Sequence, residues 1–165
     1  MIIDDREPKP QREVILNLAK SSKVEAIVRR LKFGDFLLSP ESGKNIVAIE
    51  RKEVNDLLNS LSSGRLRRQL SGLKSDVNLD TIFLLVEGTL SHKIVDGTVW
   101  AATKNREQTG WRWLAVADFL ASIQLPNNNG PEGDSDRTIS LMWTLNFEQT
   151  AMWVIGFYKY LSNRS

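Results

Sequence analysis

The chain has 165 residues, 41% of them hydrophobic and 25% charged, with a formal net charge of +2; this is the composition of one folded domain and excludes disorder or a fibre. No apolar run reaches the roughly 20 residues of a membrane span, and the acidic start MIIDDRE is not a signal peptide, so an intracellular protein with no membrane partner is expected. With no cysteine and a single histidine, His92, disulfides, thiolate sites and His-rich zinc sites are excluded, and any metal must take oxygen ligands.

Along the chain, Met1–Asp4 reads as a short apolar strand start, broken by Pro8 and Pro10. Gln11–Lys20 carries Val14, Ile15 and Leu18 at helical spacing. Val24–Leu31, Phe36–Ser39 and Ile46–Glu50 read as strands, the last two flanking the turn-rich PESGKN. The period then changes. Val54, Leu57, Leu58 and Leu61 follow the helical i, i+3, i+4, i+7 pattern, and Ser62-Ser63-Gly64 interrupts it. Leu66, Leu70, Leu73 and Val77 form a second helical stripe. Thr81–Val86 (TIFLLV) has no polar alternation and reads as a central buried strand. Gly88–Gly110 reads as a loop with one short helix, Trp111–Gln124 as a helix and Pro126–Arg137 as a loop. Ile139–Leu145 is a strand and Phe147–Leu161 a closing helix. Strands alternating with helices predict an α/β fold, a mixed central sheet with helices on both faces.

Charge is uneven. Residues 1–76 hold fifteen Lys/Arg against eleven Asp/Glu, and Arg65, Arg67 and Arg68 form the tightest basic cluster. Such a cluster suits a polyanionic partner or a solvated helix face.

The stretch from Gly34 to Asp56 carries the chemistry. If the two strands around Pro40–Asn45 pair as a hairpin, Ser39 faces Ile46, paired positions sum to 85, and Asp35 lies opposite Glu50. Opposed side chains on one face have Cβ atoms about 4.5–5.5 Å apart, so two carboxylates there repel unless a cation intervenes. Lys52 lies two residues beyond Glu50 and shares its face, whereas Arg51 points to the other. Two carboxylates and an ammonium suit Mg²⁺, which takes one or two carboxylates and shares its sphere with phosphate oxygens. Phosphodiester hydrolysis is a natural use of that set. A surface salt bridge with no function is the other reading that this spacing allows.

The longer pattern is more specific. Gly34-Asp35, Glu50-Arg51-Lys52 and Asp56 resemble the GD…ERKxxxD signature of the XPF family of structure-specific endonucleases, within the PD-(D/E)XK, restriction-endonuclease-like class. Ile3-Asp4-Asp5-Arg6-Glu7, Leu57–Gln69 (LLNSLSSGRLRRQ), Phe83–Gly88 (FLLVEG), Val116–Leu125 and Thr144–Ala151 match further segments in the same order. The resemblance implies a Mg²⁺- or Mn²⁺-dependent endonuclease acting on branched DNA such as a flap, fork or junction. Asp35 and Glu50 would be metal ligands with the Arg51 backbone carbonyl, Lys52 the catalytic lysine, and Asp4 a ligand direct or through water. Arg6, Glu7, Arg51 and Asp56 would support the site, and Arg65, Arg67, Arg68 and Gln69 would lie on DNA. It also implies pairing of nuclease domains, as a homodimer or heterodimer. The helix with Met152, Trp153, Ile155, Phe157 and Tyr158 suits such an interface and suits a core equally. The chain is expected to be a single nuclease domain, 1–165, without the helix-hairpin-helix or helicase-like modules of many members. Two other readings share the fold: a non-catalytic DNA-binding or dimerisation subunit, and a Holliday-junction resolvase or restriction-like nuclease. The five tryptophans read as core or interface rather than base-stacking platforms.

Overall fold

The computed structural model describes residues 1–40, 43, 45–102, 106–125 and 137–163. Its main sheet has six strands in the order β2-β1-β3-β4-β5-β9. These are β1 (Ile2–Ile3), β2 (Ile27–Val28), β3 (Phe36–Leu38), β4 (Val47–Glu53), β5 (Thr81–Glu87) and β9 (Ser140–Thr144). β4, β5 and β9 run parallel, and β3 is antiparallel to both β1 and β4, so the sheet is mixed as expected.

Two layers of helix cover it. α1 (Lys9–Ser21) and α5 (Phe147–Ser162) pack on one face, where Ile3, Ile15, Phe36, Ile49, Leu85 and Val154 are buried together. α2 (Val54–Ser62), α3 (Arg65–Lys74) and α4 (Trp113–Gln124) cover the other, over Ala48, Ile82, Leu84 and Val86. Alternation along β4 therefore sends odd positions toward α1 and α5 and even positions toward α2 and α3. β5 is buried on both faces, with Leu84 and Leu85 fully enclosed. This explains its unbroken apolar run, and each such leucine contributes about 1.5–3 kcal/mol of burial.

α1 begins before Gln11 because Pro10, without an amide proton, fits the first turn of a helix. α2 and α3 are separate helices because Gly64 adopts φ +67, a left-handed conformation that turns α3 back toward α2.

Three expectations fail. Val24–Leu31 contributes only the two-residue β2, because its partner β1 is itself two residues long. Val77 lies beyond the end of α3 and is exposed, so the second apolar stripe stops at Leu73. Gly88–Gly110 is not a loop with a helix. It holds β6 (Thr89–His92), β7 (Thr98–Ala102) and most of β8 (Arg106–Arg112), a separate antiparallel sheet in the order β6-β7-β8. β8 also takes Trp111 from the helix expected there. Asp96-Gly97 closes the β6–β7 hairpin with Gly97 at φ +68 and the Asp96 carboxylate accepting the Thr98 amide at 2.9 Å. Of the expected loop Pro126–Arg137, residues 126–136 lie outside the described residues.

Candidate active site

The β3–β4 ladder pairs Phe36 with Ile49, Leu37 with Ala48 and Leu38 with Val47, the register in which paired positions sum to 85. The ladder ends at Phe36. The Asp35 amide donates to the Ile49 carbonyl at 2.8 Å, and the Asp35 carbonyl accepts the Asp4 amide at 2.8 Å. β4 and β1 thus hold Asp35 from both sides. Gly34 makes this possible: its φ is +79, and a Cβ there would sit 3.2 Å from the Ile49 carbonyl oxygen.

Asp35, Glu50 and Lys52 open onto one cavity of about 530 Å³ on the α2–α3 face, lined also by Arg6, Lys32, Phe33, Gly34, Asp56, Arg65 and Gln69. Glu50 and Lys52 are buried and form a hydrogen-bonded ion pair. Gln69 Nε2 donates to the same Glu50 Oε1 at 2.7 Å. Asp35 Oδ2 accepts the Arg51 amide at 2.7 Å. Asp35 Oδ1 and Glu50 Oε2 accept no hydrogen bond from any described residue. Burial, followed by the charges of Glu50 and Glu7, pushes the Asp35 carboxyl up to about 8.

This donor set fits a hard divalent cation. It offers carboxylate oxygens only, two of them uncommitted, and a mutual repulsion that a cation would relieve. Among the described residues no group of three or more His, Cys, Asp or Glu could hold a metal ion, so the protein side chains supply two carboxylates at most.

Asp4 does not join this cavity. Its carboxylate is fully buried and accepts Arg6 Nε at 2.6 Å, Arg6 Nη2 at 3.0 Å, the Arg6 amide at 2.8 Å and the Leu31 amide at 2.7 Å. Burial pushes its pKa up, but the hydrogen bonds from Arg6 and Leu31 outweigh this and hold it below the ordinary carboxylate range. All its acceptor directions are used, so the expected ligand role is corrected: Asp4 anchors Arg6, whose half-exposed side chain lines the cavity.

Arg51 points to the opposite face, as strand alternation requires. Its guanidinium donates twice to Glu87, at 2.9 Å from both Nε and Nη2, and once to Glu53 at 3.2 Å. It lies 3.6 Å from Glu7 and 5.0 Å from the Phe147 ring centre. Burial, partly offset by Arg51 and reinforced by Glu87, raises the Glu7 pKa. Glu7 and Arg51 therefore belong to a buried ion network behind the sheet. Sequence reading missed three members, Glu53, Glu87 and Thr150, whose hydroxyl donates to Glu87 at 2.9 Å. Register could have found Glu87, which pairs with Glu53 across β4 and β5 and so demands a cation.

Asp56 and Arg65 form an ion pair at the cavity rim, with Lys52 Nζ 3.8 Å from Asp56. The expected DNA-contacting group divides. Arg65 and Gln69 line the cavity, and Gln69 positions Glu50. Arg67 and Arg68 do not line it: Arg67 lies 5.4 Å from the Phe119 ring centre, and Arg68 donates to the Ser63 carbonyl at 3.4 Å. Helical spacing separates Arg67, two residues from Arg65, from the face that positions 65 and 69 share. Lys32 and Phe33, also in the lining, carry no sequence signal beyond preceding Gly34-Asp35.

Comparison with known proteins identifies the family and the fold. The ERCC4 domain family model matches residues 3–157. Over 73 residues the chain is 42% identical to the DNA repair endonuclease XPF of Dictyostelium discoideum, covering 44% of this chain and 7% of that protein. Over 115 residues it is 32% identical to the probable crossover junction endonuclease mus81 of the same organism, covering 66% of this chain and 12% of that protein. The chain thus spans only a small part of the curated relatives it matches. XPF from Aeropyrum pernix superimposes with a TM-score of 0.66 at 27% identity, covering 99% of this chain and 64% of that one. The same protein in complex with DNA gives 0.64 at 26% identity, with the same coverage. The chain belongs to the ERCC4 domain family and has the fold of the XPF nuclease domain.

Proposed function

We propose that this chain is the catalytic domain of a metal-dependent, structure-specific DNA endonuclease that hydrolyses phosphodiester bonds in branched DNA. One observation carries the reading: Asp35, Glu50 and Lys52 open onto a single cavity, with a carboxylate oxygen of each acid uncommitted. Asp35 and Glu50 are the residues that would hold Mg²⁺ or Mn²⁺, and the Arg51 carbonyl remains the proposed third donor. A bound divalent ion would supply charge neutralisation at the scissile phosphate and acidify water beside it.

The chain's own residues supply the rest. Lys52, paired with Glu50 inside the cavity, is placed to stabilise negative charge growing on the phosphate. Arg6 and Arg65 add cationic donors at the mouth, where phosphates on either side of the cut would lie. Gln69 fixes Glu50, and the Arg51 amide fixes Asp35, so neither carboxylate must reorganise to work.

A second reading is a non-catalytic subunit on the same fold. The integrity of Asp35, Glu50, Lys52 and Asp56 favours the enzyme. Incubation with flap, splayed-arm, four-way-junction and linear duplex DNA, in Mg²⁺, Mn²⁺ or EDTA, decides. Cleavage of a branched substrate that needs metal and disappears in Asp35→Ala is expected. No cleavage of any substrate would support the non-catalytic subunit.

Self-association is part of the proposal. On α5, Met152 and Tyr160 are exposed, whereas Ile155 is core and Trp153, Phe157 and Tyr158 are partly buried against it, with Trp153 stacked on Phe157 at 5.0 Å and Phe157 on Tyr160 at 6.3 Å. Light scattering over a range of concentrations should give a dimer that Met152→Glu weakens.

A further inference from the structure

A second cavity lies on the other side of α2 from the acidic site. It measures about 800 Å³, against about 530 Å³ for the acidic site. α2 presents Asn55, Leu58, Asn59 and Ser62 to it, the i, i+3, i+4, i+7 face of one helix, and β8 supplies the opposite wall from Gln108 to Trp111. Among the described residues, no lining residue carries a charge. The side-chain amides of Asn55, Asn59 and Gln108 hydrogen-bond to no described residue. Thr109 is already committed, its hydroxyl donating to the Val99 carbonyl at 2.8 Å and accepting the Trp111 amide at 3.2 Å. These bonds hold the β8 segment that carries Trp111.

We propose that this cleft takes an unpaired base of the DNA substrate; the inference rests on the nuclease reading above. The chemistry selects that ligand class. Among the described residues the cleft lacks the cations that would draw a phosphate, whereas Arg6, Lys32 and Arg65 line the acidic cavity. A carboxamide offers a donor and an acceptor side by side, which matches the edge of a base. The partly buried Trp111 offers apolar surface for a base's face, and stacking on an aromatic ring tolerates any base. Trp111 packs against the core from behind, so it is a fixed platform. Asn55 directly precedes Asp56, which lines the acidic cavity, so the base site begins one residue from the cutting site's wall. A domain so built would distinguish a branch point, where bases are unpaired, from a duplex whose bases are stacked away.

The test measures binding in EDTA, where cleavage plays no part. Fluorescence anisotropy is read for a splayed-arm DNA whose single-stranded arm carries bases, and for the same DNA with an abasic arm. Asn59→Ala and Gln108→Ala each replace an exposed side chain, and circular dichroism confirms their fold. Each is expected to weaken the base-bearing DNA about threefold to tenfold and leave the abasic DNA unchanged. An arm carrying iodouracil is expected to crosslink on irradiation to the peptide containing Trp111. Equal binding of both DNAs by the parent, variants that weaken both equally, crosslinks confined to α3, or no DNA binding would each overturn the proposal. Intact base-dependent binding with no cleavage in Mg²⁺ would instead sink the nuclease reading and leave the base site standing.

Discussion

The side chain of Asp35 is held by the backbone of Arg51, whose amide donates to Asp35 Oδ2 at 2.7 Å, while the Arg51 side chain leaves through the opposite face of the sheet to meet Glu87. One residue thus serves two sites through different atoms. Its main chain orients a carboxylate in the acidic cavity, and its guanidinium neutralises the acids behind the sheet. The two roles separate experimentally.

The Asp35 carboxyl titrates near 8 in the metal-free fold, against 3.8 when free in water. Between those values the folded chain holds a proton that the unfolded chain has released. This stabilisation is fully present below about pH 4 and is lost as the pH rises through about 8. Asp35→Asn removes the titration. In EDTA at pH 8 the variant should melt about 3–6 °C above the parent, for about 1–2 kcal/mol, and the gap should close toward pH 4. The variant should not cleave DNA. Calorimetry at several pH values checks this, and a variant less stable than the parent at pH 8 contradicts it.

Gln69 acts through Glu50. If Glu50 is the metal ligand proposed above, Gln69→Ala, which removes the Nε2 donor at 2.7 Å, should lower cleavage about 10–100-fold, the usual cost of losing a partner that orients such a ligand. Raising the Mg²⁺ concentration should recover part of that loss if Glu50 has lost affinity for metal. DNA affinity measured in EDTA should stay within about twofold. A tenfold loss of DNA affinity would instead make Gln69 a direct DNA contact.

The two arginines of α3 should part company. Arg65 pairs with Asp56 at the rim, each side chain about half exposed, so the pair contributes little to stability, about 0–1 kcal/mol. Arg65→Ala should weaken DNA binding and reduce the slope of log affinity against log salt by about 1, the signature of one phosphate contact. Arg67, which packs on Phe119, should leave that slope unchanged when replaced by alanine. Titrations at several salt concentrations distinguish the two.

What the sequence reveals follows from the range of the forces involved. The Asp35–Glu50–Lys52 face was legible because strand alternation and a six-residue loop set both side and register by local geometry alone. Separating Lys52 from Arg51 needed only period two. The β6–β7–β8 sheet escaped because β6 is four residues long and largely exposed and β8 is mostly polar in sequence, so no long apolar run marks them. Its one local signal, Asp96-Gly97 between β-prone residues, is a strong hairpin marker and was there to be read. Asp4 could not be placed from sequence. Its enclosure depends on Leu31, 27 residues away, and on Arg6 folding back over it.

Arg51 neutralises two buried acids, Glu7 and Glu87, and the more exposed Glu53. Replacing it by methionine leaves Glu7 and Glu87 buried without their cation, and should destabilise the fold by about 3–5 kcal/mol. Arg51→Lys keeps the charge but loses the two-pronged contact with Glu87, and should fall between the parent and the methionine variant. Because the Arg51 amide survives both changes, protein that still folds should keep most of its cleavage activity. Urea denaturation together with activity per folded molecule checks this. A stable but inactive Arg51→Lys would place the guanidinium in the chemistry itself.

Gly34 sets the approach of Asp35 to β4. At φ +79 an L side chain is strained, and its Cβ would press on the Ile49 carbonyl that accepts the Asp35 amide. Gly34→Ala should therefore cost about 1–3 kcal/mol and lower cleavage more than the lost stability explains, because the displaced group is the backbone of a proposed metal ligand. Gly156 in α5 is the control. Its Cβ would meet nothing within 4 Å, so Gly156→Ala should stabilise by about 0.5–1 kcal/mol with cleavage unchanged. Equal losses of activity in both variants would show that the Gly34 turn does not tune the site. A loss confined to Gly34→Ala, measured at a temperature where both are folded, ties the position of Asp35 to that one backbone angle.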